Sequence, residues 1–349
     1  EYLKPDVVGL NELTDVSAYD SIAAACESEW AFGPWYPDAD ISNGVMYNPS
    51  KLGLASSFAF QTLPRKTHVY KFYFINQNFN LYPDTVYLTF LSVHFKSSQG
   101  STNENTRLIQ ATDIYDYIRV FHPSNLALSG DYNLYTSSEP AYQKLIDSGA
   151  DRLDDPINRP GNWNNNSSFA DIHTQSPRTT SFDGGVTGGL DDRFDFILLR
   201  PEIMNGTGGL HYINNTYRVP GNDGLHFNHS ILDLPVNESV PDSVLQALHA
   251  MSDHLPVILD LEFDPSQVST SLGTKLNQEC DVYQLINMID ENPEYSVGAV
   301  DLSGREVDLR NIIKNRISGF YFVSAKCNSV KSTYFKLQIT PSGDLLFSH

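Results

Sequence analysis

The sequence predicts an α/β domain followed by a small all-β domain. Three observations carry this: apolar runs that stop abruptly at acidic residues or histidine, one amphipathic helical stripe between two such runs, and a change of composition after Phe263. Asp6 to Leu10, Val86 to His94, Leu126 to Ser129, Phe194 to Leu199 and Val257 to Phe263 read as strands, several of them apolar on both faces and therefore central in a covered sheet. Leu108 to Val120 carries Leu108, Ala111, Ile114, Tyr115 and Ile118 on one stripe, the spacing of a helix laid on a sheet. Two Asn-, Gly- and Pro-rich stretches, Asp151 to Asp192 and Asn205 to Pro241, predict long loops, which in a compact domain usually serve function.

After Phe263 a Ser/Thr/Gln-rich linker is expected over residues 264–279, and a β-rich domain over 280–349, leaving 1–263 as the main domain. Val300 to Val307, Ile317 to Val323 and Lys331 to Ile339 alternate apolar and polar residues between glycine turns, as strands of a small antiparallel sheet do.

With 349 residues the chain can bury a large core without staples. Its formal charge of −19 argues against a broad basic face for holding nucleic acid, although a catalyst that binds its substrate weakly is still allowed. No apolar stretch approaches the roughly 20 residues that span a bilayer. Cys26, Cys280 and Cys327 have no CxxC or CxxH spacing, which sets a structural zinc site aside; Cys280 and Cys327 are either a disulfide or two thiols. Abundant Tyr, Asn and Ser with little Lys suit an extracellular protein.

The candidate chemistry sits where strands end. Glu12 closes Asp6-Val-Val-Gly-Leu-Asn-Glu12, at the edge where α/β sheets place their sites, or is a surface residue after a strand. In Gly130-Asp131-Tyr132-Asn133 the two polar side chains share a face, one anionic and one neutral oxygen suited to Mg²⁺ or an attacking water; the alternative is a simple turn. Ser252-Asp253-His254-Leu-Pro-Val257 puts a carboxylate beside an imidazole at a bend. His94 ends a strongly apolar run, and Asp195 lies among apolar neighbours where a carboxylate needs a partner, for which His254 is the candidate.

Val-Gly-Leu-Asn-Glu12, Val-His94-Phe-Lys-Ser, Gly-Asp131-Tyr-Asn133, Arg-Phe-Asp195-Phe-Ile and Ser-Asp253-His254-Leu-Pro-Val, in that order, resemble the endonuclease/exonuclease/phosphatase superfamily. Gly44-Val-Met-Tyr47-Asn-Pro-Ser-Lys51 is similar to its tyrosine-bearing strand. The resemblance implies a DNase I-like four-layer sandwich, two β-sheets flanked by helices, in an enzyme that hydrolyses phosphodiesters with Mg²⁺ or Mn²⁺. It implies that Glu12 and Asp253 hold the metal and that Asp131 and Asn133 position the water and the phosphate. His254, supported by Asp195, would contact the phosphate or act as base, and His94 would donate to it. Arg107, His173 and Arg178 are further candidates for substrate binding, with surface salt bridges the alternative for either arginine. An extracellular nuclease is the leading expectation; a phosphomonoesterase, a lipid head-group phosphodiesterase and a catalytically silent binding module are the alternatives. A nuclease should line its site with Arg, Lys, Asn and Tyr, and a lipid hydrolase with an exposed apolar hairpin, of which the sequence shows no obvious example.

The family's first strand, bearing an asparagine of the metal site, is expected before Glu12 and is not in the sequence. The loop from Arg159 to Arg178 resembles secreted Bacteroidetes-type members. Asp-Leu-Ser-Gly-Arg305, then Ser-Gly-Phe-Tyr-Phe-Val323 and a lysine-bearing strand, resemble the C-terminal sorting domain of type IX secretion cargo, implying secretion machinery as a partner and a secreted or cell-surface bacterial location.

Overall fold

The computed structural model describes residues 2–26, 30–75, 86–146, 149–182 and 184–264, and beyond them 295–301, 305–308, 311–312, 315, 317, 319–327, 331–339 and 345–348. Two compact units are present, one of residues 1–118 and 122–269 and the other of 119–121 and 270–349. The predicted linker falls almost wholly outside the described residues, as do Cys280 and the Leu302–Gly304 part of the sorting-domain resemblance. Cys26 is a free thiol.

The first unit is mixed α/β. Its elements run β1 (Val7–Leu13), α1 (Ser17–Ala25), β2 (Ala31–Phe32), β3 (Ser42–Tyr47), β4 (Leu52–Thr62), β5 (Arg65–Phe74), β6 (Tyr87–His94), α2 (Ser101–Phe121), β7 (Leu126–Asp131), α3 (Pro140–Ile146), β8 (Asp195–Leu199), α4 (Pro201–Asn205), β9 (Leu210–Tyr212), α5 (Asp242–Met251) and β10 (Leu261–Phe263). A five-stranded sheet has the order β4-β5-β6-β7-β8, antiparallel except between β6 and β7. That parallel pair needs a crossover, and α2 supplies it. Smaller antiparallel sheets, β1-β3-β2 and β10-β9, share a core with the large one: Val45, Tyr70, Phe72, Leu88, Phe90, Leu199, Leu210 and Tyr212 are buried together, with Val7, Tyr47, Leu261 and Phe263 packed against them. Continuous apolar runs such as Tyr87–His94, buried at every position but the first, are what a strand covered on both faces requires.

α2 is longer than its apolar stripe suggests, because Ser101 to Thr106 add polar turns that periodicity does not register. Its buried face is also rotated: Arg107, Gln110, Ala111, Ile114, Tyr117 and Ile118 face inward, while Leu108 and Tyr115 are half-buried. Tyr117 stacks on Phe60 of β4 at 5.4 Å, and Gln110 bridges Lys96 N and Thr62 O. The last predicted strand is cut down to Leu261–Phe263. Ahead of it Ile258 makes only an isolated two-bond bridge with Arg218, since the partner loop does not stay extended.

In the second unit β11 (Tyr295–Asp301), β12 (Gly319–Cys327), β13 (Lys331–Ile339) and β14 (Leu345–Ser348) form an antiparallel meander. No helix among the described residues is long and apolar enough to cross a membrane.

Candidate active site

Strand register assembles the centre of the site. In the parallel pair His94 lies opposite Asp131, and in the next, antiparallel pair Asp131 lies opposite Asp195. Residues directly opposite project from the same face, so His94, Asp131 and Asp195 form one row across three adjacent strands. Gly130 permits the close approach of β6 and β7 beside this row: it has φ +144°, and a Cβ there would lie 2.0 Å from Val93 O.

Each member of the row has a defined partner. His94 Nε2 is 3.4 Å from Asp131 Oδ2 and 3.8 Å from Glu12 Oε1. Asp195 Oδ2 accepts from His254 Nδ1 at 2.7 Å. Asn133 does not reach Asp131 by strand alternation, as the sequence suggested. It adopts φ +50° just past the strand, and Asp131 accepts from both its backbone N–H (2.8 Å) and its Nδ2 (2.7 Å). Glu12 is brought in by a bulge, the register of β1 against β3 slipping between Leu10 and Leu13 and Glu12 taking φ +61°. Asn11 anchors that strand end, donating to Asn43 Oδ1 (2.7 Å) and Val93 O (2.8 Å).

The electrostatics are uneven. Burial, aided by Asp195 and Glu12 and opposed by His254, pushes Asp131 up to about 7. Burial, with Arg65 and His254, pushes His94 down to about 3, so it is a neutral imidazole. His254 goes the other way: burial lowers it, but the charge and hydrogen bond of Asp195 outweigh burial and hold it at about 10. Its Nε2 lies 2.9 Å from the side-chain amide nitrogen of Gln175. Glu12 is raised by burial and by Asp253, against the pull of His254 and Arg65.

Among the described residues no group of three or more His, Cys, Asp or Glu side chains is placed to hold a metal ion. The donors present are hard carboxylate oxygens on an open edge: Glu12 has a side chain 52% exposed, and Asp253 has one oxygen fixed by Val186 N–H at 2.6 Å. That set, with carboxylates crowded enough to raise one another, fits Mg²⁺ or Mn²⁺, which take one or two carboxylates and retain water. A cage for zinc is not what these residues offer.

The three candidates for substrate binding are each engaged by protein partners. Arg107 is 0% exposed and spends its guanidinium on Glu139 and on Lys96 O and Ser98 O, so it is neither a surface salt bridge nor a free phosphate clamp. His173 is buried with Nε2 against Trp163 O at 2.8 Å. Arg178 is buried, donates to His249 O at 3.0 Å, and ties its loop to the end of α5. Sequence reasoning passed over Arg65, which faces Glu12 and His94 electrostatically from the start of β5 while paired to Asp40 at 3.0 Å. It also passed over Asn11, Asn43, Gln175 and Asp192. Asn11 alone stood within a quoted motif, beside Glu12 at the end of an apolar strand.

No protein-family model and no curated protein matches the chain. Solved structures that resemble it include an endonuclease/exonuclease/phosphatase family protein from Bacteroides thetaiotaomicron, 14% identical over 75% of this chain and 85% of that one, with a TM-score of 0.47. D. rerio TDP2 complexed with single-strand DNA product is 16% identical over 75% and 87%, at a TM-score of 0.48. A mannosyl-6-phosphatase from B. thetaiotaomicron is 14% identical over 75% and 87%, at 0.46.

Proposed function

We propose that this chain is a divalent-metal-dependent phosphoester hydrolase of the endonuclease/exonuclease/phosphatase type. The observation that carries the reading is the single row of His94, Asp131 and Asp195, extended by Asn133 and His254. A neutral imidazole, a carboxyl near neutrality and an imidazole held in its charged form are thereby brought side by side.

The roles follow from those protonation states. Asp131, at about 7, is matched to taking a proton from an attacking water at neutral pH, with Asn133 orienting it. His254, held at about 10, keeps its proton and serves as a charged donor to a phosphate oxygen rather than as the base. Neutral His94 adds a donor without adding charge, and Arg65 supplies positive potential. Glu12 and Asp253 would hold the metal, which when bound polarises the phosphoryl oxygen.

The finer expectation is a phosphodiesterase acting as an extracellular nuclease; the order of motifs in the sequence supports the hydrolase type, which a phosphomonoesterase or a lipid head-group phosphodiesterase would share. A secreted bacterial location and sorting through the C-terminal residues rest on the resemblance of Ser-Gly-Phe-Tyr-Phe-Val323 and its flanks. The deciding experiment is hydrolysis of plasmid DNA, RNA and bis-p-nitrophenyl phosphate with Mg²⁺, Mn²⁺ or EDTA, beside His254→Ala. Metal-dependent turnover lost in the variant is expected. Equal turnover in EDTA, or an active His254→Ala, sinks the reading, whereas turnover of the small diester alone rejects only the nuclease.

A further inference from the structure

Behind the row of His94, Asp131 and Asp195 lies a second polar row that the proposed chemistry leaves unused. His68 of β5 lies opposite Ser92 of β6, and Ser92 lies opposite Ser129 of β7. Opposed residues share a face, and so do residues two apart on one strand. His68, Ser92 and Ser129 therefore stand on the same face as His94 and Asp131, one step deeper. The next step in is already the core, with Tyr70, Phe90 and Ala127 side by side.

Three side-chain atoms here are buried without a hydrogen-bond partner among the described residues: His94 Nδ1, Ser92 Oγ and His68 Nε2. Ser92 and His68 are 0% exposed and His94 is 4% exposed. A buried polar atom left unpaired is costly, and three of them on neighbouring positions of one face point to a shared partner. His94 Nε2 faces Asp131 at 3.4 Å and Glu12 at 3.8 Å, and these carboxylates draw the ring's proton to Nε2. Nδ1 is then a bare acceptor and needs a donor. His68 Nε2 is 4.0 Å from Asp38 Oδ2, beyond hydrogen-bond reach, while its Nδ1 is 3.4 Å from the Tyr70 hydroxyl. Burial and Lys66 hold His68 down to about 4, against the backbone of Asn43, so it too is a neutral ring. The Asn43 side chain is spent on Lys66 O, Ser92 O and Asn11. No direct bond joins Ser92 to His94. Cα positions two apart on a strand are about 7 Å apart, a gap that one water bridges, and a buried water is held by about three hydrogen bonds.

We propose that Ser92 and His68 are positioning residues for His94: with one buried water they hold a donor against Nδ1 and keep the ring's proton on Nε2, where the phosphate is met. This deepens the phosphoesterase reading and rests on it. His68 Nε2–H donates to the water, which donates one proton to His94 Nδ1 and the other to Ser92 Oγ. All three unpaired atoms are satisfied, and no charge is added to the row. The nitrogen of a histidine that carries the proton is set by the bond its other nitrogen makes. With the proton on Nδ1 instead, Nε2 would present a lone pair to a phosphate oxygen.

The test is nitrogen NMR on the full chain with isotope-labelled histidine and no metal, His94 being assigned by its loss in His94→Gln. Wild type should show a proton-bearing Nε2 and a bare, hydrogen-bonded Nδ1. Ser92→Ala and His68→Phe should each move the Nδ1 resonance toward that of an unbonded ring nitrogen or mix the two tautomers. Ser92→Thr keeps the hydroxyl and should restore the wild-type spectrum. In Mg²⁺-dependent turnover of bis-p-nitrophenyl phosphate, the first two variants should lower kcat about tenfold with KM unchanged, the scale of a lost outer partner of a functional histidine. Ser92→Thr should recover most of that loss. Should His68→Phe fail to fold, Ser92→Ala and the wild-type spectrum carry the decision. A proton on Nδ1 in wild type, or an Nδ1 resonance unmoved in the folded variants, overturns the proposal. A wild type that holds its proton on Nε2 yet turns over no phosphoester removes the phosphoesterase reading and leaves the hold on the ring standing.

Discussion

Two of the charge clusters in the first unit are built on opposite principles. Arg193 and Asp155 are closed against each other: Arg193 is fully buried, donates twice to Asp155 (2.8 and 3.0 Å), and packs its guanidinium over Phe196 at 4.0 Å. Tyr142 adds a hydrogen bond to the same carboxylate. The cluster around Asp131 is open, with Glu12, Asp131, Asp195 and Asp253 facing one charged imidazole and one shared arginine. Charges that hold the fold are neutralised inside the protein. Those of the site are left with negative charge in excess, and a cation or a proton must complete them.

Breaking the open cluster should act first on chemistry. His254→Ala should lower kcat/KM for bis-p-nitrophenyl phosphate by about 10²–10⁴, the scale of a positioned proton donor. A variant within tenfold of wild type would remove His254 from the mechanism.

Breaking the closed cluster should act on stability. Asp155→Ala leaves Arg193 buried without its partner and should cost roughly 3–5 kcal/mol in denaturant unfolding. A loss below about 1 kcal/mol, the scale of an exposed pair, would show that water reaches Arg193.

The clusters should also differ in response to metal. Mg²⁺ at 100 times its Kd should add about 2.7 kcal/mol to unfolding, an increment absent in Glu12→Gln; equal stabilisation of both would place the metal elsewhere.

Asp131→Asn sharpens the contrast further. The folded value of Asp131, about 7, lies above that of an unfolded carboxyl, so its contribution is favourable below about 4 and is lost as pH rises through about 7. At pH 8 without metal the asparagine variant should therefore be more stable by roughly 1–3 kcal/mol, even though inactive. A less stable variant in a thermal melt at that pH would contradict the open-cluster account.

The smallest effect concerns an intermediate case. His226 faces Asp223 at 2.8 Å and the carbonyls of Asp233 and Pro235 at 3.0 Å. Burial lowers its affinity for a proton, but these acceptors together raise it above 6.5. Its stabilisation of residues 223–237 is thus complete below 6.5 and lost as pH rises through the folded value. Amide exchange there, corrected for intrinsic rates, should quicken with pH in wild type and not in His226→Gln.

The strand ends bearing His94, Asp131 and Asp195 were legible from their apolar runs, because covered strands leave a pattern in order along the chain. The crossover helix was legible too, though its buried face was misplaced by the amphipathic stripe: Arg107 turns inward since Glu139 and two carbonyls await it. For Arg107, His173 and Arg178 the sequence offered residue type alone, and the structure adds the partners that hold them. Their partners come from segments distant in sequence, and no local pattern announces them.

By itself the sequence determined the identity and order of the chemical groups, and the strands that carry them to one sheet edge, because hydrophobic periodicity and strand direction are local properties. Tertiary structure alone decided which groups meet. Parallel register set Asp131 beside His94, a bulge turned Glu12 toward them, and two bridges through Gln175 put Asp192 next to His254. Protonation was decided there as well. Two histidines of one sequence stand at about 3 and about 10, since one is buried beside positive charge and the other is hydrogen-bonded to a carboxylate.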